Sequence, residues 1–87
     1  MYVLLVYDVE EKRVAKALKT CRGYLHWVQN SVFEGEITEG KLKELLARLG
    51  QVISKKKDSI LLYKFPSASA FKKQVIGQEK APTDTFI

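Results

Sequence analysis

A chain of 87 residues is long enough for one small domain, and its 46% hydrophobic and 29% charged residues are typical of a globular protein rather than a disordered one. No apolar run approaches the roughly 20 residues that cross a bilayer, and no basic segment precedes the short apolar run near the N-terminus, so we expect a cytoplasmic protein with no membrane partner. The net charge of +5 favours an anionic partner, while a single histidine and a single cysteine leave few residues for zinc or covalent catalysis.

The first predicted element is a strand formed by the apolar run at residues 3–7 and ending at Asp8. A continuous run of aliphatic and β-branched residues is typical of a strand that is covered on both faces. Asp8 stands where this strand first meets water. Its carboxylate is therefore either a cap for the following helix or a ligand for a metal ion or substrate, and the pattern alone leaves both interpretations open.

An amphipathic helix is predicted at residues 12–22, where apolar residues recur every three or four positions, with Gly23 as its end. Cys21 belongs to the apolar stripe, which indicates a small buried thiol rather than a reactive one. The next two segments, 24–28 and 31–37, are rich in aromatic and β-branched residues. The two polar residues between them predict a hairpin or one bent pair of strands.

A second helix is predicted at residues 39–49. Thr38 is a suitable N-cap residue, and Ile37 and Leu42 are placed to pack across it as a hydrophobic staple. Gly50 is expected to end this helix, because glycine is the residue that most often follows a helix C-terminus.

The C-terminal third begins with a polar connection at residues 51–58, followed by a strand at 59–65 that Pro66 closes. Residues 74–77 are predicted to form a short last strand. Residues 78–87 are expected to be a tail.

The predicted order is β-α-β-β-α-β with one short additional strand near the C-terminus. Two helices on one face of a four-stranded antiparallel sheet form the split βαβ, or ferredoxin-like, arrangement, which is an α+β fold. We expect residues 1–77 to form this single domain, and residues 78–87 to be free to pack on a partner subunit.

Basic residues of the first helix are candidate nucleic-acid contacts. They are Lys12, Arg13, Lys16, Lys19 and Arg22, and three further lysines follow one another at residues 55–57. Such side chains can track phosphates, although a solvated helix face has the same composition. Aromatic residues such as Phe33 are of a type that stacks on bases, but the octapeptide typical of ferredoxin-like RNA binders is absent, so core aromatics are the better interpretation.

Four short motifs occur within residues 1–77, and together they are more specific than any one of them. They are Tyr7-Asp8-Val9 at the end of the first strand, Arg13-Val14-Ala15-Lys16-Ala17-Leu18 in the helix, Gln29-x-Ser31-Val32-Phe33-Glu34-Gly35 in the hairpin, and Val75-Ile76-Gly77 near the C-terminus. A strand after Asp58 that ends at Pro66 accompanies them. In this order and spacing the chain resembles the CRISPR-associated protein 2 family.

The resemblance implies a homodimer in which two copies of Asp8 face each other and hold Mg²⁺ or another divalent cation. Asp8 is then the catalytic and metal-binding residue of an endonuclease that acts on DNA or single-stranded RNA and takes part in spacer acquisition with the CRISPR integrase. The alternative is a scaffold without chemistry, which holds duplex DNA on basic surfaces and bridges integrase dimers. Tyr7, Ser31 and Phe33 match the motifs around the site, and Arg13 matches a basic position near it.

This chain departs from the family pattern directly after Asp8. Only four residues separate Asp8 from Arg13, a shorter link than many members carry, and two of the four are the acids Glu10 and Glu11. These acids would either help to recruit a metal ion or repel phosphate. The sequence leaves both effects open.

Overall fold

The computed structural model describes residues 1–81 and confirms the β-α-β-β-α-β part of the predicted order. The elements are β1 (Tyr2–Asp8), α1 (Glu11–Arg22), β2 (His26–Gln29), β3 (Val32–Glu36), α2 (Glu39–Val52) and β4 (Ser59–Phe65), followed by a 3-10 turn at Ala68–Ala70. The four strands form one antiparallel sheet in the order β2-β3-β1-β4. Neither of the two described helices has the length and apolar character needed to span a membrane.

The core lies between the helices and one face of the sheet. Buried side chains from α1 and α2 share it with alternate residues of β1. The two sides of β1 are Val3, Leu5 and Tyr7 toward the helices, and Tyr2, Leu4, Val6 and Asp8 on the opposite side. We call that opposite side the open sheet face, and it also includes Leu61 and Tyr63 of β4, whose register partners are Val6 and Leu4. The unbroken apolar run of β1 therefore reflects a strand that is apolar on both faces, one of them uncovered by helices.

The second helix begins as predicted and ends later than predicted. The hydroxyl of Thr38 accepts a hydrogen bond from the backbone N–H of Lys41 at 3.1 Å, which confirms the N-cap. The expectation that Gly50 ends the helix is wrong, since α2 continues to Val52. Leu49 and Val52, three residues apart, both pack on the core, and this packing outweighs the cost of about 1 kcal/mol for a glycine within a helix.

A tight turn at Asn30 joins β2 and β3, so the predicted hairpin is confirmed. Asn30 has a φ of 44°, in the left-handed region that asparagine tolerates better than most residues. The indole N–H of Trp27 donates to the backbone carbonyl of Asn30 at 2.9 Å and fastens the turn.

The chain after β4 crosses the open sheet face instead of adding a strand to this sheet. The ring of Phe71 packs on Tyr2 and Phe65, with ring centroids 5.0 Å apart in each case. Lys73 Nζ then lies 2.6 Å from Oε2 of Glu34 on β3. These contacts hold the segment at the Tyr2 end of β1, at the far end of the sheet from Asp8.

The short strand predicted at residues 74–77 is not formed within residues 1–81 of this single chain. A strand needs a free sheet edge beside it, and the contacts at Phe71 and Lys73 lead this segment over a face rather than along an edge. Its pairing with the sheet of a second subunit stays a prediction. Residues 82–87 of the predicted tail lie outside the described residues.

Candidate nucleic-acid and metal site

Asp8 ends β1 at the rim of the open sheet face, and its side chain is exposed. Its register partner is Ser59, the first residue of β4. The N-cap residue of α1 is Glu10, and no side chain makes a capping hydrogen bond there, so the interpretation of Asp8 as a helix cap is wrong. Among residues 1–81, no basic group lies within ion-pair distance of Asp8, which leaves its carboxylate accessible to a ligand.

The donor set of one chain decides what kind of metal site Asp8 can belong to. In the described part of the chain, no three His, Cys, Asp or Glu side chains cluster closely enough to hold an ion. Mg²⁺ is commonly bound through only one or two carboxylates, with water and phosphate oxygens as its other ligands. Asp8 therefore fits such an ion when a second chain brings its own carboxylate to the same place.

Beside Asp8, the buried carboxylate of Asp58 joins two loops. It accepts hydrogen bonds from the backbone N–H groups of Glu10 at 3.0 Å and Ser54 at 2.8 Å. It also accepts from Nε and Nη2 of Arg13, at 2.7 and 3.0 Å. The Arg13 guanidinium, followed by these backbone donors, holds the pKa of Asp58 well below its usual range, although burial acts in the opposite direction. Asp58 is therefore an ionised structural group that fixes the loop next to Asp8.

The structure gives Arg13 a role that the sequence does not predict. Its guanidinium bonds to Asp58 and, through Nη2, to Oε1 of Glu10 at 3.0 Å, and its side chain is only 18% exposed. The contact of Arg13 with nucleic acid stays a prediction, but its guanidinium already forms ion pairs with two carboxylates. The same contact pairs Glu10 with a cation. Both acids next to Asp8 are exposed, but Glu11, in the first turn of α1, forms no ion pair with any residue of 1–81.

The other basic residues of α1 are exposed, on the helix layer of the molecule. They are Lys12, Lys16, Lys19 and Arg22. The helix runs back from the Asp8 end of β1, so ten residues at 1.5 Å each separate Lys12 from Arg22 by about 15 Å along the axis. Lys12 therefore lies at the end of α1 that is nearest to Asp8, and the other three basic residues are spread along the outer side of the helix layer.

Three residues predicted to support the site contact the end of β1: Tyr7 and Phe33 lie in the core, and Ser31 is half-buried at the start of the β3 side of the hairpin. Tyr7 is 4% exposed, Phe33 is fully buried, and their rings stack with centroids 6.1 Å apart. The backbone N–H of Tyr7 donates to the carbonyl of Ser31 at 3.1 Å. Since Phe33 is enclosed on all sides, it is a core aromatic as expected and is not accessible to a base.

Neither the single cysteine nor the single histidine adds to the site. Cys21 is fully buried, and burial raises the pKa of its thiol to about 12, which confirms the structural interpretation. His26 is exposed on β2, opposite Glu34 in the strand register.

Asp58 is the residue at the Asp8 end of the sheet that the sequence analysis does not identify. A signal was present, because Asp58 directly precedes a predicted strand just as Asp8 directly follows one. However, its partner Arg13 is 45 positions away, and no local pattern connects the two. Only the pairing of β1 with β4 brings them together.

Comparisons with known proteins, by sequence and by structure, lead to the same family name. A family model described as CRISPR associated protein Cas2 matches residues 1–73. A Thermotoga maritima protein named CRISPR-associated endoribonuclease Cas2 is 49% identical over 87 residues, covering 100% of this chain and 99% of that protein. A crystal structure of Cas2 superposes with a TM-score of 0.86 at 44% identity, covering 100% and 98% of the two chains. The Streptococcus pyogenes Cas2 structure gives a TM-score of 0.79 at 35% identity, covering 88% and 100%.

Proposed function

This chain belongs to the Cas2 family of CRISPR-associated proteins, and from that premise we propose that it is a homodimeric, metal-dependent endonuclease of CRISPR adaptation. The proposed substrate is the phosphodiester backbone of RNA or DNA, the cofactor is Mg²⁺ or another divalent cation, and the partner in spacer acquisition is the CRISPR integrase. The observation that carries the proposal is the exposed carboxylate of Asp8 at the end of β1. The Thermotoga maritima relative is named an endoribonuclease, which supports cleavage of RNA.

The open sheet face supports association of two chains. Leu61 is 52% exposed and Tyr63 is 49% exposed, and both lie next to apolar residues of β1. An apolar patch of this kind favours a protein partner, and a two-fold axis would let the same face cover itself. Because Asp8 lies at the rim of this face, such a packing would bring two copies of Asp8 toward each other.

In the proposed dimer, the two Asp8 carboxylates would hold the cation and leave its other positions to water and to phosphate oxygens. A divalent ion held there would lower the pKa of water and would neutralise the negative charge on the phosphate oxygens. The protein's own part is to keep both carboxylates at fixed positions. The Asp58 junction with Arg13 and Glu10 serves this purpose, because it fastens the loop that follows Asp8.

A non-catalytic scaffold is the second candidate, and the position of α1 favours it. Lys16 and Lys19 are exposed along the outer side of the helix layer, whereas Asp8 lies on the open sheet face. Phosphate contacts at those lysines suit a duplex that is held against the dimer at a distance from the carboxylates. Both candidates require binding of nucleic acid, and only the nuclease requires turnover.

The substitution Asp8→Asn separates the two candidates, with Glu11→Gln as a matched control that also removes one exposed acid. For a nuclease, Asp8→Asn is expected to fold, dimerise and bind nucleic acid nearly as the wild type does, because size and shape are conserved. Its Mg²⁺-dependent cleavage of single-stranded RNA and duplex DNA is expected to fall by orders of magnitude, while Glu11→Gln stays within a few-fold. Wild-type cleavage by a well-folded Asp8→Asn dimer would end the catalytic assignment. Spacer integration supported by that variant would then favour the scaffold.

A further inference from the structure

We infer that Lys55, Lys56 and Lys57, which we call the lysine turn, form a phosphate-binding element that holds the nucleic-acid backbone at the Asp8 end of the sheet. The lysine turn connects α2 to β4. The inference rests on the proposed function, because it describes how the same site engages its substrate. It adds a set of contacts distinct from the basic residues of α1.

The position of the lysine turn follows from the pairing of β1 with β4. Asp8 is the register partner of Ser59, and Lys57 is only two residues before Ser59. With neighbouring strands about 4.8 Å apart and about 3.3 Å per residue, Lys57, the residue of the turn nearest to β4, lies roughly 10 Å from Asp8. That separation corresponds to about three nucleotides of a strand with 3.4 Å per step, so one backbone can reach both the lysine turn and the cation proposed at Asp8.

Hydrogen bonds fix the lysine turn relative to Asp8. The backbone N–H groups of Lys57 and Asp58 donate to the carbonyl of Ser54 at 3.0 and 2.7 Å, and this closes the turn. The Asp58 carboxylate accepts from the N–H of Ser54 on one side and from the N–H of Glu10 on the other. One buried side chain therefore holds both the turn and the loop that follows Asp8. A turn ordered in advance loses less entropy when it binds a ligand.

The charges of the lysine turn are uncompensated within residues 1–81. All three lysines are exposed, and none of them pairs with a described acid. Arg13, by contrast, is occupied by Asp58 and Glu10. Three adjacent like charges repel one another, and a chain of phosphates is the anion whose repeating charge matches them.

The test replaces all three lysines of the turn by glutamine and compares the variant with an equal loss of charge at the other end of the sheet. The control changes three exposed lysines that form no described ion pair, Lys43→Gln, Lys64→Gln and Lys72→Gln. Lys64 pairs in register with Val3, and Lys72 follows Phe71, which packs on Tyr2, so both lie near the start of β1. Lys43 lies in the first turns of α2, which follows the β3 end that pairs with Tyr2.

Binding to a short duplex DNA and to a single-stranded RNA is measured by fluorescence anisotropy over a range of salt concentrations. If two phosphate contacts are lost, the slope of log Kobs against log salt flattens by about 1.8. When the two proteins bind duplex DNA equally at about 1 M salt, this difference in slope lowers the variant's affinity by about 60-fold at about 0.1 M salt. The control is expected to change affinity by only a few-fold. Replacing the three lysines by arginine is expected to restore most of the binding, because arginine keeps the charge.

The outcomes distinguish this inference from the proposed function. A wild-type protein that shows no salt-dependent binding to either nucleic acid refutes the proposed function itself. If the wild type binds and the lysine-turn variant and the control bind equally well, only the present inference is overturned. An acidic protein as the partner of these lysines would give this second result. A lysine-turn variant that unfolds at the same urea concentration as the wild type, binds weakly and is rescued by arginine supports the inference.

Discussion

The substitution Leu61→Ala tests whether the open sheet face is the contact between two subunits. Leu61 lies on β4 opposite Val6 of β1, on the side of the sheet away from the helices. In the single chain 52% of the residue is exposed. If two open faces pack together, this exposed part of Leu61 is removed from water in each subunit.

The expected effect follows from that exposed apolar surface. Leucine to alanine removes three carbons, worth about 2.4 kcal/mol at about 0.8 kcal/mol per buried methylene. About half of this, roughly 1.2 kcal/mol, belongs to association, because 52% of Leu61 is exposed before the dimer forms. Since a two-fold dimer contains two copies, the free energy of association weakens by about 2.5 kcal/mol and Kd rises by about 60-fold.

Sedimentation equilibrium over protein concentrations on both sides of the wild-type Kd measures this shift. Leu46→Ala is the matched control, because Leu46 is also a partly exposed leucine, at 37%, but lies on α2 rather than on the sheet. We expect the control to leave Kd within about two-fold. An unchanged Kd for Leu61→Ala, or an equal shift for both variants, would refute the assignment of the open sheet face.

Two further predictions concern the interior of the molecule. Arg13 lowers the pKa of Asp58 in the folded state. The ionised Asp58 carboxylate therefore contributes its full stabilisation above the unfolded-state pKa of about 4, and this stabilisation is lost as the pH falls toward the folded-state pKa. The urea midpoint of the wild type is therefore expected to drop more steeply between about pH 5 and pH 2.5 than that of Asp58→Asn, and parallel curves would contradict this linkage. Phe33→Leu removes a buried ring but keeps an apolar side chain, so we expect a loss of about 1 kcal/mol in urea unfolding and no change in affinity for nucleic acid. A weaker affinity in the folded variant would contradict a purely structural role for Phe33.

The elements that the sequence predicts well are those whose signal is local. Thr38 caps α2 because its hydroxyl reaches an N–H three residues away, and the polar residues around Asn30 turn the hairpin within two positions. The sequence predicts the wrong end for α2, at Gly50, because helix propensity is local whereas the packing of Val52 on the core is not.

The site could be predicted only in part, for the same physical reason. Asp8 is visible as the acid that ends an apolar run, but whether it caps a helix depends on where the chain turns after it. The pairing of Arg13 with Asp58 spans 45 positions and exists only once β1 and β4 are side by side. A basic residue read from the sequence alone therefore looks free to bind phosphate even when the fold supplies it with a carboxylate.

The inner position of β1 in the sheet determines how steadily the molecule can present Asp8. Backbone hydrogen bonds join β1 to β3 on one side and to β4 on the other, and the Tyr7 N–H still bonds to Ser31 at the last residue before Asp8. Edge strands such as β2 can fray without disturbing this arrangement, whereas releasing β1 requires two ladders to open together. In native-state hydrogen exchange, amides of β1 should therefore be among the slowest of the chain. The carboxylate is carried by a slowly opening part of the protein, while the lysine turn presents its charges on flexible four-carbon stems that can follow backbones of different shape.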